Sequence, residues 1–258
     1  MAQHRSAGEM NGKVALVTGA ASGIGKAVAS QFAREGAELL LLDRDPMVKE
    51  VAAHLSDSSP ARTYLIDLAD PTQIAALTVE IRASHPRIDV LVNNAGINPK
   101  KDGRKAEIPE ITDEVWAQVL AINLTAPFLL YRELIEPLKA SGAGRVINIT
   151  SRGGRSVSPL AAAHYAATKT GLIGLTRVMA LEGAPFGITA NSVAPGPILT
   201  ALTSQSSEAS RSQLAKSVPL GRYGDPEDVA EIVTFLASAR ASYVTGAVFD
   251  VNGGSFMP

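Results

Sequence analysis

A regular alternation of short apolar runs with longer helical patterns restricts the fold of this sequence more than any other feature. The apolar runs are continuous, as in VALV (14–17), ELLLL (38–42) and RVINI (145–149). Strands that are apolar on both faces are typical of parallel sheets, which helices cover on both sides. The pattern therefore predicts an α/β fold with one doubly wound parallel sheet of about seven strands.

The remaining apolar runs and helical patterns extend this alternation to the end of the chain. Further strands are predicted at TYLI (63–66), DVLV (89–92), TANSV (189–193) and AVFDV (247–251), and helices at 23–35, 46–54, 70–84, 112–138, around Tyr165 and at 225–237. Two helices begin with Asp-Pro, at Asp70 and Asp225. Aspartate is a good N-cap and proline suits the first helical position, so these two boundaries are the best defined.

The chain has 258 residues and shows no internal repeat, low-complexity tract or linker. One α/β domain is an ordinary expectation at this length. We expect a flexible N-terminal segment at 1–11 and a single domain at 12–258. The stretch 194–220 is rich in Pro, Ser and Thr. Because long loops in compact domains are usually functional, it is predicted to be a lid over a binding site.

Composition argues against several classes of function. The formal net charge is −1 and aromatic residues make up 5% of the chain, so nothing supports nucleic-acid binding. The absence of cysteine excludes disulfides, thiolate metal sites and a cysteine nucleophile. No apolar run approaches the ~20 residues of a membrane span, and the first residues lack the apolar core of a secretory signal. A cytoplasmic protein without a membrane partner is therefore expected.

A glycine-rich turn follows the first predicted strand. In VALVTGAASGIG, Gly19, Gly23 and Gly25 stand between an apolar strand and a helix. Glycines there permit a tight turn and a close approach of the backbone to a pyrophosphate at the helix N-terminus. A turn without a ligand would look the same, and the spacing differs from the common GxGxxG. The position favours a dinucleotide site in a Rossmann-like fold.

An acidic residue at the end of the second strand bears on the choice of dinucleotide. Asp43 follows Gly25 at close to the ~20-residue offset at which an acid binds the adenosine ribose of NAD. A carboxylate there would repel the 2′-phosphate of NADP, whereas Arg44 could bind that phosphate. Asp43 could also simply cap the next helix or pair with Arg44. Since Ser22 in the glycine turn adds no positive charge, NAD is expected and NADP is the less favoured alternative.

A tyrosine and a lysine lie four residues apart in the apolar stretch HYAATKTGLIGL. Tyr165 and Lys169 would share one face of a helix. A tyrosine has a pKa of about 10, and an adjacent cation favours its phenolate. Such a phenol could exchange a proton with an alcohol or a carbonyl oxygen during hydride transfer. An isolated pair of this kind is more often a packed tyrosine and a solvated lysine, so neighbouring residues decide the interpretation.

Two further polar residues lie where such a site would form. Ser151 follows the strand RVINI at the carboxyl edge, where open α/β sheets bind ligands, and its hydroxyl could hold a substrate oxygen. Asn123 lies within a predicted helix, although asparagine is a mediocre helix former. It could hold a kink or bind water. A turn serine and an exposed helical asparagine are the simpler alternatives.

Together these features resemble the classical short-chain dehydrogenase/reductases. The matching stretches are TGAASGIG (18–25), NNAG (93–96), Asn123, Ser151, YAATK (165–169) and APGPILT (194–200), in the order of the family. The resemblance extends from about Gly12 to Gly254. It implies a homotetrameric oxidoreductase that interconverts a secondary alcohol and a ketone by hydride transfer, with no metal.

The resemblance also implies roles for individual residues. Tyr165 would be the general acid/base, Lys169 would lower its pKa and hold the nicotinamide ribose, and Ser151 would orient the substrate oxygen. Asn123 would position a water, and Gly153 would bind substrate together with Ser151 and Tyr165. Besides Tyr165 and Lys169, the residues expected to contact the cofactor are Gly19, Ser22, Gly23, Ile24, Gly25, Asp43, Arg44, Asp67, Leu68, Asn93, Ala95, Gly96, Pro195, Gly196, Ile198 and Thr200.

The small-molecule substrate is the least determined part of the prediction. Family members that reduce 3-oxoacyl groups on acyl carrier protein look NADPH-dependent and have basic residues on two helices, where this chain has Glu136 and Leu181. NAD-linked chemistry on a polyol, sugar or similar small secondary alcohol is therefore expected. A 3-oxoacyl-(acyl carrier protein or CoA) reductase using NADPH is the alternative, and a non-catalytic dinucleotide sensor is a remote one.

Basic side chains near the predicted site leave one question open. The loop at 100–105 carries Lys and Arg, and Arg152 and Arg155 follow Ser151. These groups could bind a carboxylate or phosphate of the substrate, although solvated loop charge is the favoured interpretation. His164, next to Tyr165, could contact substrate or simply pack.

Overall fold

The computed structural model describes residues 8–55, 59–200 and 218–257. The strands in this part of the chain are β1 (Val14–Thr18), β2 (Glu38–Asp43), β3 (Ala61–Leu65), β4 (Val90–Asn93), β5 (Lys100–Lys101), β6 (Arg104–Lys105), β7 (Arg145–Ile149), β8 (Thr189–Pro195) and β9 (Val248–Val251). Seven of them form one parallel sheet in the order β3-β2-β1-β4-β7-β8-β9. The strand order reverses between β1 and β4, which is the arrangement of a doubly wound α/β fold. The predicted fold class is confirmed.

The helices begin close to the predicted positions. Those in the described ranges are α1 (Gly23–Arg34), α2 (Met47–Leu55), α3 (Pro71–Ser84), α4 (Asp113–Leu120), α5 (Ala126–Ala140), α6 (Ala163–Gly183) and α7 (Pro226–Ala237). The Asp70 carboxylate accepts a hydrogen bond from the Thr72 N–H at 2.8 Å, so it caps α3 as the Asp-Pro pair predicts. At α7, the Asp225 N–H donates to the Asp228 carboxylate at 2.9 Å.

The two faces of the sheet carry two separate apolar cores. Val17 and Leu41 pack in the core under α1, α2 and α7. Leu16 and Leu40 pack in the core under α3, α5 and α6. Because successive strand residues point to opposite faces, only strands that are apolar throughout can fill both cores. This requirement explains why the runs in the sequence are continuous.

Residues 8–11 belong to the folded unit, contrary to the flexible segment expected at 1–11. Met10 is fully buried in the core beside α1, and its N–H donates to the Glu35 carbonyl at 3.2 Å. The Glu9 N–H donates to the Glu35 carboxylate at 2.9 Å. A single methionine among polar residues has no periodicity, so this burial could not be predicted from the sequence. Residues 1–7 lie outside the described residues.

The basic loop at 100–105 is a short antiparallel hairpin, β5 and β6. Asp102 and Gly103 form its turn with φ of 50° and 77°, as a two-residue hairpin turn requires. Most of the predicted lid at 194–220 lies outside the described residues, which include only its two ends. Within the described ranges, no helix is both long and apolar enough to cross a lipid bilayer.

Candidate active site

A cleft of about 380 Å³ opens at the carboxyl ends of the central strands, beside the point where the strand order reverses. Open α/β sheets bind ligands at this position. The predicted residues that line it are Gly19, Ser22, Gly23, Ile24, Asp43, Arg44, Asp67, Leu68, Ala95, Gly96, Ser151, Tyr165, Lys169, Pro195, Gly196, Ile198 and Thr200. Those that do not line it are Gly25, Asn93, Asn123 and Gly153. Lining residues absent from the sequence prediction are Ile66, Asn94, Ile97, Ile122, Ile149 and Thr150.

The glycine turn forms one end of the cleft. Gly19 and Gly23 have φ of 66° and 54°, in the left-handed region that favours glycine. A Cβ on Gly25 would lie 2.1 Å from the Gly19 carbonyl oxygen, so Gly25 serves the packing of α1 against the turn. The exposed backbone at the N-terminus of α1 suits a pyrophosphate, and the turn therefore fits a dinucleotide.

Asn94, which the sequence prediction missed, holds the glycine turn in place. Its Nδ2 donates to the carbonyls of Thr18 at 2.9 Å and Gly19 at 3.1 Å. The preceding Asn93 points into the interior instead, where its Nδ2 donates to Asn148 Oδ1 at 2.8 Å. The expectation that Asn93 lines the cofactor site is therefore wrong, because neighbouring residues at the end of β4 point to opposite sides.

The acid predicted to select NAD is hydrogen-bonded to backbone. Asp43 accepts from the Ala21 N–H at 2.9 Å and from the Asp45 N–H at 3.0 Å. Its carboxylate therefore stabilises the glycine turn and the start of the next loop. Arg44 lines the same cleft, is exposed, and makes no hydrogen bond or ion pair with any other residue in the described ranges.

Ser151 and Tyr165 meet at the other end of the cleft. Ser151 follows β7, and its Oγ accepts a hydrogen bond from the Gly153 N–H at 3.0 Å. Burial raises the pKa of the Tyr165 phenol, and a hydrogen bond with Ser151 acts in the opposite direction. The phenol therefore carries its proton near neutral pH, which is the form that donates to a carbonyl oxygen.

Lys169 is buried behind this pair. Its Nζ donates to the Ile149 carbonyl at 2.8 Å and lies 5.8 Å from the centroid of the Tyr165 ring. Burial lowers the pKa of Lys169 to about 8. Desolvation is the main influence on the pKa of the Tyr165 phenol, and the Lys169 ammonium is directed to the Ile149 carbonyl. That Lys169 lowers the pKa of Tyr165 stays a prediction.

Asn123 lies in a π-helical turn, Ala121–Thr125, that joins α4 to α5. Its side chain is fully buried, accepts from the Ile97 N–H at 2.8 Å and donates to the Ile97 carbonyl at 2.9 Å. A second, longer contact of 3.3 Å joins its Nδ2 to Thr168 Oγ1 on α6. Such turns interrupt helices, so this placement agrees with the kink that the sequence suggests. Asn123 thus ties the loop after β4 to the helix that carries Tyr165.

Several of the basic side chains near the site are paired. Arg155 Nη2 lies 3.0 Å from Asp250 Oδ2, and Arg152 Nη1 donates to the Ser255 carbonyl at 3.0 Å. The interpretation of these two arginines as solvated charge is therefore wrong. In the hairpin, Arg104 pairs with Glu110 at 2.6 Å. His164 is fully buried, which agrees with packing rather than substrate contact.

Three comparisons place this geometry among known proteins. The family model described as enoyl-(acyl carrier protein) reductase matches residues 19–255. The 3-oxoacyl-[acyl-carrier-protein] reductase FabG of Thermotoga maritima is 38% identical over 250 residues, which cover 95% of this chain and 98% of that protein. The structure of a Brucella melitensis 3-oxoacyl-[acyl-carrier protein] reductase superimposes with a TM-score of 0.91 and 33% identity, over 97% of this chain and 93% of the other.

A third relative points to a different substrate. A Beutenbergia cavernae protein assigned as an NAD(P)-dependent gluconate 5-dehydrogenase, with NADP bound at low occupancy, has a TM-score of 0.89 and 39% identity. The match covers 95% of this chain and 97% of that one. A likeness to a sugar-acid enzyme therefore accompanies the likeness to the 3-oxoacyl reductases.

The comparisons contradict the preference for NAD and favour NADP. The relatives are named as 3-oxoacyl-(acyl carrier protein) reductases, the activity that the family resemblance associates with NADPH. The error has a physical reason, since both oxygens of Asp43 are occupied by backbone N–H groups whereas Arg44 is exposed. The same names favour the 3-oxoacyl reductase alternative over the expected polyol or sugar chemistry.

Proposed function

The chain belongs to the classical short-chain dehydrogenase/reductases, oxidoreductases that act on CH–OH groups, and we propose that it reduces 3-oxoacyl thioesters with NADPH. The observation that carries this proposal is the placement of the Ser151 and Tyr165 hydroxyl residues in one cleft, with buried Lys169 5.8 Å from the centroid of the Tyr165 ring. The pair lines the inner end of the cleft formed at the carboxyl ends of the strands. Two hydroxyls at this position suit the oxygen of a ketone.

The cleft offers a separate group of residues for each part of the cofactor. NADPH, when bound, supplies the hydride that reduces the substrate carbonyl carbon. The glycine turn binds its phosphates, and the Arg44 guanidinium binds the 2′-phosphate through charge-assisted hydrogen bonds. Asp67 and Leu68 bind the adenine, while Lys169 and Gly196 bind at the nicotinamide end.

The reacting oxygen is handled by two hydroxyls. As the carbonyl carbon is reduced, negative charge develops on its oxygen, and the hydroxyls of Ser151 and Tyr165 donate hydrogen bonds to it. Tyr165 then gives its proton to that oxygen, and the product is the 3-hydroxyacyl thioester. The Lys169 ammonium stabilises the phenolate that is left. Asn123 positions a water through which the phenol regains a proton.

Apolar side chains near the site support an acyl substrate over a polyol. Val157 and Leu160 lie on the segment that joins Ser151 to Tyr165 and are 94% and 54% exposed. An acyl chain buries apolar surface of this kind, whereas a polyol needs hydrogen-bonding partners instead. The carrier of the thioester is acyl carrier protein or CoA.

A sugar acid is the second candidate substrate. The likeness to the Beutenbergia cavernae protein, at 39% identity over 95% of this chain, favours it specifically. The same Ser151–Tyr165 pair would then act on a secondary alcohol of the sugar acid. This candidate predicts turnover of gluconate with NADP and no turnover of thioesters.

A direct assay separates the two candidates. Absorbance of the reduced nicotinamide is followed with 3-oxoacyl-CoA, 3-oxoacyl carrier protein and 5-ketogluconate, each with NADPH and with NADH. We expect turnover of a thioester with NADPH. We expect Tyr165→Phe to lower kcat by about 10²–10⁴-fold, because the proton donor is lost, and to leave the Kd for NADPH within about twofold.

The fully exposed Tyr243 provides the matched control, Tyr243→Phe, which we expect to leave kcat unchanged. Turnover of the sugar acid alone would reject the thioester proposal. A Tyr165→Phe variant with activity within about tenfold of the natural chain would reject the assigned acid/base.

We further propose that the chain forms a homotetramer through α4, α5 and α6. Apolar side chains on these helices are unusually exposed, among them Trp116 at 40%, Phe128 at 43% and Leu181 at 77%. Exposed apolar side chains collected on neighbouring helices are typical of an interface. Light scattering on the purified chain measures the assembly directly, and a monomeric mass at micromolar concentration would reject the proposal.

A further inference from the structure

The C-terminal segment 250–256, here called the C-terminal clasp, contacts three parts of the site. Asp250 and Ser255 bind the two arginines that follow Ser151. The Val251 carbonyl accepts from the Gly196 N–H at 2.9 Å, and the Gly253 carbonyl accepts from the Leu220 N–H at 3.1 Å. The clasp therefore joins the loop of the predicted catalytic serine to both described ends of the 194–220 stretch.

The clasp contains an ion pair between Arg155 and Asp250. The side chains are each 19% exposed and approach to 3.0 Å. Arg155 Nε and Asp250 Oδ1 are buried and have no hydrogen-bond partner among the described residues. The pair is thus held by one contact, and Phe256 covers the guanidinium at 5.4 Å. Because few other groups compensate these charges, removing one of them leaves the other poorly solvated.

A short turn connects this ion pair to the reacting groups. Arg152–Gly154 form one 3₁₀ turn between Ser151 and Arg155, and the Gly153 N–H in it donates to the Ser151 hydroxyl. A Cβ on Gly154 would lie 2.7 Å from the carbonyl carbon of Lys169, so the turn packs directly on the backbone of α6. A shift of Arg155 would therefore be transmitted both to Ser151 and to the helix that carries Tyr165 and Lys169.

We propose that Asp250 is a positioning residue, which through Arg155 fixes the 152–154 turn and so directs the Ser151 hydroxyl toward Tyr165. The inference rests on the proposed role of Ser151 in holding the substrate oxygen. Neither Asp250 nor Arg155 lines the cleft. Their effect is therefore on the orientation of a reacting group and not on contact with the substrate or the cofactor.

The first test is Asp250→Asn, which keeps the shape of the side chain and removes its charge. We expect kcat for the reduction of a 3-oxoacyl thioester to fall by about 10- to 100-fold, since small misplacements of a reacting group have effects of this size. The Kd for NADPH is expected to stay within about twofold. Glu133→Gln is the control, because Glu133 pairs with Arg82 at the same 3.0 Å but joins α5 to α3, away from the cleft.

Coupling to Ser151 distinguishes positioning from a general loss of stability. Ser151→Ala is made in the natural chain and in Asp250→Asn. If Asp250 acts through Ser151, the second substitution reduces kcat much less in the Asp250→Asn background than in the natural chain. The charge exchange Arg155→Asp with Asp250→Arg is expected to restore part of kcat. If Asp250→Asn does not fold, Arg155→Lys provides the same comparison with the charge retained.

The outcomes separate this inference from the proposed function. Equal effects of Ser151→Ala in both backgrounds, or an Asp250→Asn kcat equal to that of Glu133→Gln, would overturn the positioning role. A Ser151→Ala variant as active as the natural chain would instead overturn the proposed function on which the inference rests. In Asp250→Asn, a large rise in the Kd for NADPH without a change in kcat would also contradict the positioning role, since Asp250 would then act on the cofactor site.

Discussion

Arg44 is expected to determine the preference for the phosphorylated cofactor, and Arg44→Ala tests this directly. The guanidinium lines the cleft and is exposed, while the neighbouring Asp43 is hydrogen-bonded to the backbone of Ala21 and Asp45. In the natural chain the arginine is thus the group available to a 2′-phosphate. In the variant, the nearest charged group to that phosphate would be the carboxylate of Asp43.

The size of the effect follows from the exposure of the arginine. Hydrogen bonds to charged groups contribute about 1.5–3 kcal/mol, and exposure to water and salt reduces this to about 1–2 kcal/mol here. Such a loss corresponds to about a 5- to 30-fold weaker affinity. We therefore expect the Kd for NADPH to rise by that factor and the Kd for NADH to change less than twofold. Nicotinamide fluorescence titrations at two salt concentrations measure both constants.

Arg62→Ala is the matched control for this experiment. Arg62 is an exposed arginine on the neighbouring strand β3 and does not line the cleft. Its loss changes the net charge by the same amount, so any general electrostatic effect appears in both variants. Equal weakening of NADPH and NADH in Arg44→Ala, or a Kd for NADPH equal to that of Arg62→Ala, would refute the assignment.

Three further predictions concern Lys169, the N-terminal segment and the glycine turn. In the reductive direction, kcat/KM for NADPH should fall as the pH rises through about 8, where buried Lys169 loses its charge while Tyr165, whose pKa is raised, keeps its proton. A kcat/KM that stays constant across this pH range would contradict this prediction. Met10→Ala should lower the free energy of unfolding by about 2–5 kcal/mol in a urea titration, whereas Met47→Ala, at a 47% exposed position, should change it little. Asn94→Ala removes two hydrogen bonds to the glycine turn and should raise the Kd for NADPH about tenfold, with kcat changed less. An unchanged Kd would show that Asn94 does not support cofactor binding.

The strands and most helices could be predicted because their signals are local. Continuous apolar runs predict the bounds of β1, β2 and β7 to within about one residue, since most side chains of a strand buried on both faces are apolar. The two-residue strands of the 100–105 hairpin are too short for any periodic pattern. The Asp102–Gly103 dipeptide was the available signal, since it favours a hairpin turn.

The candidate site was less accessible to sequence reasoning, because backbone contacts and side-chain direction decide it. Asn93 and Asn94 are adjacent and chemically identical, yet one points into the core and the other to the cleft. Strand alternation separates them only after the register of β4 is known. Asp43 stands at the offset expected for a ribose ligand, but its carboxylate is engaged by Ala21 and Asp45, which no spacing rule could indicate.

The arginines after Ser151 show which contacts cannot be predicted from the sequence. Locally, Arg155 has the sequence context of a solvated loop residue, and Asp250 that of an ordinary strand residue. Their pairing exists because β7 and β9 are both brought next to β8, a consequence of the strand order and not of either neighbourhood. The Tyr165–Lys169 spacing is encoded within one helical turn, whereas the Arg155–Asp250 contact joins segments that only the completed sheet brings together. A sequence of this fold therefore indicates candidate reacting side chains more readily than contacts between distant segments.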